Sequence, residues 1–236
     1  MIVAVVQARM SSSRLPGKVL ADLCGEPMIL RQLQRIRRAR TLTKVVVATS
    51  AEASDDALAR VLRTRGWPVY RGDLTDVLGR VCSAVRWATP AGSCTHAVRL
   101  TADCPLADPE LIDEAVRLAL ASRAAYTSNC ERRTYPDGLD VEVIAADALF
   151  TAAARASDPY DREHVTPYVR TRPSLYPQAH LTHPRDRSAL RWTVDRPEDL
   201  AFVRQVYEAL HTVDPAFSTQ DVLDLLADRP ELSAAA

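Results

Sequence analysis

Four strand-length apolar runs alternate with helix-length periodic segments through the first 124 residues, and this alternation limits the fold more than any other feature of the chain. The runs are Ile2–Gln7, Lys44–Thr49, Trp67–Arg71 and Thr95–Leu100. A continuous apolar run, as opposed to an alternating one, suits a strand covered on both faces. Between the runs, Pro27 sits where a helix can begin, and Met28, Ile29, Leu33 and Ile36 follow at helical spacing. Ser54, Asp55 and Asp56 read as the start of a second helix, with Leu58, Val61 and Leu62 as its apolar face and Gly66 as its stop. Thr75 is predicted to cap a third helix carrying Val77, Leu78, Val81 and Val85, and Asp108-Pro109 to open a fourth that runs to about Ser122. Strand and helix in strict alternation predict an α/β fold with a parallel, doubly wound sheet.

The rhythm changes after Ala124. Residues 126–146 read as strands broken by Pro136-Asp137-Gly138, followed by helical patterns at about 146–156 and 160–170 and a strand at Gln178–Thr182. Arg191–Val194 reads as a returning strand, and helices are predicted from Pro197 to about Leu210 and from about Thr219 to Ala227. The expectation is a single domain over 1–228, with an insertion of about 125–190 forming an arm, and a frayed tail at 229–236.

The charge balance narrows the function. Thirty basic residues meet thirty acidic ones, for a formal net charge of +0, so no global positive field is present to hold nucleic acid or an anionic membrane. An anionic ligand must then be held by a local cluster. Lys18 and Lys44 are the only lysines beside 28 arginines. The five cysteines are an odd number, widely spaced and without a C-x-x-C pair, which suits reduced thiols in a cytoplasm. No apolar stretch is long enough for a membrane span.

In a parallel α/β sheet, ligands sit beyond the C-terminal strand ends. Three polar segments fall there. The first, Gln7-Ala8-Arg9-Met10-Ser11-Ser12-Ser13-Arg14-Leu15-Pro16-Gly17-Lys18, places three cations and several small residues after the first strand. Small residues let backbone amides approach a ligand, and Arg offers forked donors to phosphate oxygens. The segment lacks the Walker pattern, and a solvated basic loop explains its composition equally well. The second segment, Leu100-Thr101-Ala102-Asp103-Cys104-Pro105, places an Asp at a strand end, where it fits either a Mg²⁺ ligand or a helix cap. In the third, Asp195 fits a metal ligand or a cap for the helix that opens at Pro197. Softer candidates are the turn Tyr135-Pro136-Asp137-Gly138-Leu139-Asp140 and the polar helix start Asp161-Arg162-Glu163-His164.

Taken in order, QARMSSSRLPGKVL, VVVATS, YRGDLTDVLGR, RLTADCPL, YPDGLDVEV, REHVTPYV and RWTVDRPEDL resemble the cytidylyltransferase family that contains the spore-coat polysaccharide synthesis enzymes, itself related to acylneuraminate and 3-deoxy-manno-octulosonate cytidylyltransferases. The resemblance runs from residue 1 to about 210. It implies a Rossmann-like nucleotide-diphospho-sugar transferase (GT-A-like) fold, use of CTP with Mg²⁺, and transfer of CMP to an acidic small molecule with release of pyrophosphate. Carried onto matching positions, Arg9, Arg14 and Lys18 would hold the triphosphate, and Asp103 and Asp195 the metal. Ala8, Ser50, Arg71 and Thr101 fall where relatives form the cytidine pocket. Asp137, Asp140, Glu163 and His164 fall where relatives face the acceptor or a dimer arm, and a homodimer is expected. Two other readings stand beside this one: a nucleotidyltransferase using another NTP and a sugar 1-phosphate, and a relative that binds nucleotide without turnover.

Overall fold

The computed structural model describes residues 1–233. In chain order the elements are β1 (Ile2–Gln7), β2 (Asp22–Leu23), β3 (Glu26–Pro27), α1 (Met28–Ile36), β4 (Lys44–Ser50), α2 (Asp56–Thr64), β5 (Val69–Gly72), α3 (Val77–Ala88), β6 (His96–Thr101), α4 (Pro109–Ser122), β7 (Tyr126–Ser128), β8 (Glu142–Ala145), α5 (Ala146–Arg155), α6 (Pro159–His164), α7 (Pro167–Arg170), β9 (Gln178–His180), α8 (Pro197–Leu210), α9 (Thr219–Asp228) and α10 (Pro230–Ser233).

Seven strands form one sheet in the order β5-β4-β1-β6-β8-β7-β9. From β5 to β6 all neighbours are parallel; β8 then runs against both β6 and β7, and β9 pairs parallel with β7. The apolar runs pair in register across the centre, with Val5 of β1 beside Val46 of β4 and Arg99 of β6. Both faces are covered, as the unbroken runs require. Ala4, Val6 and Val47 meet Leu33 of α1, Leu58 of α2, Ile112 of α4 and Val203 of α8 on one face. Val3, Val5 and Val46 meet Val81 of α3 and Leu149 of α5 on the other. Trp192, 1 % exposed, closes the first layer.

Several local expectations are corrected. Asp76, not Thr75, caps α3: its carboxylate accepts from the Gly79 amide at 2.8 Å, while Thr75 donates its hydroxyl to Asp73. The expected helix at 160–170 is two short helices separated by Val165, whose φ of 71° breaks the helical path. Arg191–Val194 is not a strand; it makes an isolated bridge, Asp137 to Arg191. Asp195 does not cap α8. Arg196 holds the cap position, and Asp199 reaches back to the Asp195 and Arg196 amides at 2.7 and 2.8 Å. Segment 125–190 is rooted in the sheet, since it supplies β7, β8 and β9. Where fraying was expected, Pro230–Ser233 turn once more and Leu232 packs into the core; residues 234–236 lie outside the described residues.

The Pro-Asp-Gly turn is a packing device. Gly138 has φ 107°, and a Cβ there would stand 2.5 Å from the Thr193 amide nitrogen and 2.6 Å from the Trp192 carbonyl carbon. Its missing side chain lets the turn lie directly on the segment that delivers Asp195. Gly138→Ala combines a disfavoured φ with a backbone overlap and is expected to cost about 2–4 kcal/mol in urea unfolding.

Candidate functional site

The chain reverses direction across the sheet beside β1, because β4 and β5 lie on one side of it and β6 on the other. The loops after β1 and β6 therefore part at their C-terminal ends and leave a crevice, the usual ligand position in such sheets. A cavity of about 240 Å³ opens there, and Gln7, Ala8, Arg9, Arg14, Lys18 and Asp103 are among its lining residues.

Lys18 ties together three of the segments around this cavity. It is 8 % exposed, and its ammonium donates to Val194 O at 2.6 Å, Asp195 Oδ1 at 3.0 Å and Asp103 Oδ2 at 3.3 Å. Two carboxylates from segments 92 residues apart in sequence thus converge on one cation. Their backbones are tied as well, since the Val194 amide donates to Asp103 O at 2.8 Å. Arg14 and Arg191 hold the other oxygen of Asp195 at 3.0 and 2.9 Å. Burial pushes the Asp195 carboxyl up, but Lys18, Arg191 and Arg14 outweigh it and hold it below the ordinary aspartate range.

The loop carrying Arg9, Arg14 and Lys18 is shaped by its own backbone. The Ser12 and Gly17 amides both donate to Met10 O at 2.9 Å, and Gly17 adopts φ 75° at the turn into Lys18. Asp55, fully buried, anchors it from outside by accepting from the Met10 amide at 2.7 Å and from the Ser50 amide at 3.0 Å. The sequence reading gave Asp55 only the role of a helix start. Only a view across the sheet reveals its link to the loop.

Not every expected residue reaches the cavity. Ala8, Arg9, Thr101, Glu163 and His164 line it. Ser50 and Arg71 do not: Ser50 is fully buried against Asp55, and Arg71 donates to Ser50 O and Glu52 O at 2.8 Å each and pairs with Asp56. A second cavity of about 360 Å³ adjoins the first under α6 and α7. Asp140 lines it, paired with Arg133 at 3.0 Å, whereas Asp137 lies outside both cavities between Arg133 and Arg191. Sequence reasoning missed Arg80 and Arg99. Arg80 lines the first cavity at 4 % exposure, and Arg99 lines both. Each stands inside a core helix or strand pattern, where a charge at an apolar position was the available signal. Arg162 of α6 grips the Asp76 carboxylate at the head of α3, and so seats Glu163 and His164 over the first cavity. All five cysteines are free thiols, and burial pushes Cys82 and Cys104 up, away from nucleophilic thiolates.

Two buried aspartates make stability acid-sensitive. Burial pushes Asp55 and Asp113 up, but hydrogen bonds from Met10 and Ser50, and from Thr41 and Arg40, outweigh it and hold both below the ordinary range. A carboxyl with a depressed native pKa contributes stability that is complete above the unfolded value of about 4 and is lost as pH falls through the native one. The urea midpoint should therefore hold steady from pH 7 to 5 and drop below about pH 4. Asp113→Asn, remote from the cavity, should flatten that drop.

Comparison with known proteins agrees with this fold. The family model described as cytidylyltransferase matches residues 3–220. The spore coat polysaccharide biosynthesis protein SpsF of Bacillus subtilis is 31% identical over 237 residues, covering 98% of this chain and 95% of that protein. The 3-deoxy-manno-octulosonate cytidylyltransferase of Anaeromyxobacter sp. is 33% identical over 188 residues, covering 72% of this chain and 73% of its own. The solved structure of a cytidylyltransferase from Leptospira borgpetersenii superposes with a TM-score of 0.91 at 29% identity, covering 98% of this chain and 96% of that one. No helix among the described residues is long and apolar enough to cross a membrane. With the sheet, the cationic loop and the paired aspartates all in place, the chain belongs to the cytidylyltransferase family of nucleotidyltransferases.

Proposed function

We propose that this enzyme transfers CMP from CTP to an acidic small molecule, a sugar acid or a small phosphonate or phosphate such as phosphonoformate, and releases pyrophosphate. The observation that carries the reading is the meeting of Lys18, Asp103 and Asp195 at the mouth of a loop bearing Arg9 and Arg14. CTP brings about four negative charges, and phosphoryl-type transfer depends on positioning and charge neutralisation more than on covalent help. Arg9, Arg14 and Lys18 neutralise the phosphates and the departing pyrophosphate. The acceptor's oxygen attacks the α-phosphorus, a new O–P bond forms, and the bond to the β-phosphate breaks with its electron pair leaving on pyrophosphate. An oxygen that is already anionic needs no base. A hydroxyl passes its proton to Asp195 or to His164, which lines both cavities.

Mg²⁺ fits these residues. No group of three or more metal-ligating side chains occurs among the described residues, yet Mg²⁺ beside a triphosphate needs only one or two carboxylates. Asp103 and Asp195 already face a common cation, the Lys18 ammonium. They would hold the metal, which supplies charge neutralisation and polarisation at the α-phosphate. Tyr160 and Leu175, 53 % and 69 % exposed on segment 125–190, support a homodimer contact through that segment. The free thiols support a cytoplasmic location.

A thermal-shift comparison of CTP, UTP, ATP and GTP with Mg²⁺ tests the nucleotide, because a ligand of the native state raises stability by mass action. CTP should give the largest shift, and a pyrophosphate-release screen with sugar acids and phosphonates should then identify the acceptor. A larger shift with another nucleotide would overturn the reading.

A further inference from the structure

The two cavities share a wall made of Arg99, Thr101 and His164. Arg99 occupies a central position in a row of polar side chains that crosses the sheet. Its Nε donates to Gln7 Oε1 of β1 at 2.9 Å, its Nη1 pairs with Glu142 of β8, and Glu142 accepts from the Tyr126 hydroxyl of β7 at 2.6 Å. Burial pushes the Glu142 carboxyl up, but Arg99 and Tyr126 outweigh it and hold it below the ordinary range, so the pair is ionised and Arg99 is fixed in place.

What distinguishes Arg99 is the nitrogen left over. The second cavity has three arginines. Arg133 engages both terminal nitrogens with Asp140, at 3.2 and 3.0 Å. Arg170 engages Nη1 with Glu131 at 3.0 Å and Nη2 with the Tyr160 hydroxyl at 3.4 Å. Arg99 Nη2 has no partner among the described residues, and it is not among the buried polar atoms that lack one, so it stays reachable from solvent. A charged donor without a protein partner therefore belongs to a residue that lines both cavities.

We propose that Arg99 is the specificity-determining residue for the second substrate, its Nη2 receiving an oxyanion of the molecule in the second cavity. The inference rests on the reading of the first cavity as the nucleotide site. It adds that the oxyanion lies at the shared wall, next to the transferred phosphorus, and not at the far end of the acceptor. A carboxylate, a phosphonate and a phosphate share this chemistry. A neutral sugar can offer the guanidinium edge only hydroxyl acceptors without a countercharge, so it binds more weakly than an oxyanion.

The test uses the whole protein saturated with CTP and Mg²⁺, titrated calorimetrically with acetate, methylphosphonate and inorganic phosphate, and with mannose as neutral control. At least one oxyanion should bind more tightly than mannose, and the responding anion separates the three sources. In the double variant Arg99→Gln/Glu142→Gln, which removes the buried pair together, its affinity should fall about 10- to 100-fold, well beyond any change in stabilisation by CTP and Mg²⁺. Glu142→Gln alone retains Arg99 and leaves an amide oxygen to accept from its Nη1, so it should keep more affinity than the double variant, which separates loss of Arg99 from loss of the ion pair. Oxyanion binding that is absent from the wild type or equal in the double variant would overturn the proposal. So would loss of the CTP effect in that variant, because Arg99 would then serve the nucleotide. If CTP fails to stabilise the wild type, the nucleotide reading fails instead. The titration repeated without nucleotide then decides this proposal alone: Arg99-dependent binding supports it, and Arg99-independent binding overturns it.

Discussion

Asp103→Asn should lower CTP-dependent turnover about 10²–10³-fold, the usual cost of losing one electrostatic contact to a transition state. The amide keeps the shape of the carboxylate and can still accept from Lys18, which now stands 3.3 Å from Asp103 Oδ2. The Asp103 carbonyl, which receives the Val194 amide, is untouched. Unfolding by urea should therefore change little. What is lost is the negative charge, so the Mg²⁺ concentration for half-maximal pyrophosphate release should rise along with the fall in rate. Manganese titrated by electron paramagnetic resonance gives a second readout that does not depend on turnover. Full activity in this variant would remove Asp103 from the mechanism.

Lys18→Met should act on both turnover and stability. Its ammonium is the shared partner of Asp103, Asp195 and the Val194 carbonyl. Removing it sets two carboxylates against each other and leaves a buried carbonyl without a donor, at a cost of about 1–3 kcal/mol. Turnover should fall by about 10²–10³-fold because the departing pyrophosphate loses a fixed cation. Arg14 and Arg191 still hold the other oxygen of Asp195, so the loop should not come free altogether. Lys18→Arg is the discriminating control. It restores the charge, but its planar fork does not reproduce three contacts made by one tetrahedral nitrogen in an 8 % exposed slot. It should recover stability more than rate, as read by urea unfolding and pyrophosphate release.

The sequence exposes the centre of the fold because that centre obeys local rules. Strands β1, β4 and β6 are covered on both faces, so most of their residues are apolar and their boundaries fall within a residue or two of the runs. Thr75 and Asp76 are both acceptable caps, and the choice is made by Asp73, which binds Thr75 and leaves Asp76 to the helix. The RWTV stretch has strand composition but makes only an isolated bridge, Arg191 to Asp137; it is held by the turn around Gly138 and by the Asp103 carbonyl. Within the site, Lys18, Asp103 and Asp195 were visible as charges at loop positions after strands. Their convergence was expected from the family resemblance and not from local pattern, since it depends on contacts 85 and 177 residues apart. Ser50 and Arg71 occupy plausible strand ends, but their side chains are consumed locally by Asp55, Glu52 and Asp56. Arg99 was hidden by its surroundings, since its ion pair with Glu142 lies inside a strand between the apolar Val98 and Leu100.

The sheet changes character at β6, parallel toward β1 and antiparallel toward β8. One flank carries the cationic loop and the other carries most of the second cavity, and they meet along this strand and at α6, through His164 and the Arg162–Asp76 pair. Such a seam makes the two halves evolutionarily separable. Substitution or loop replacement on the β7–β9 flank can reshape what enters there without disturbing the register that aligns the opposite flank, so descendants of one scaffold can diversify their chemistry while inheriting a fixed energy source.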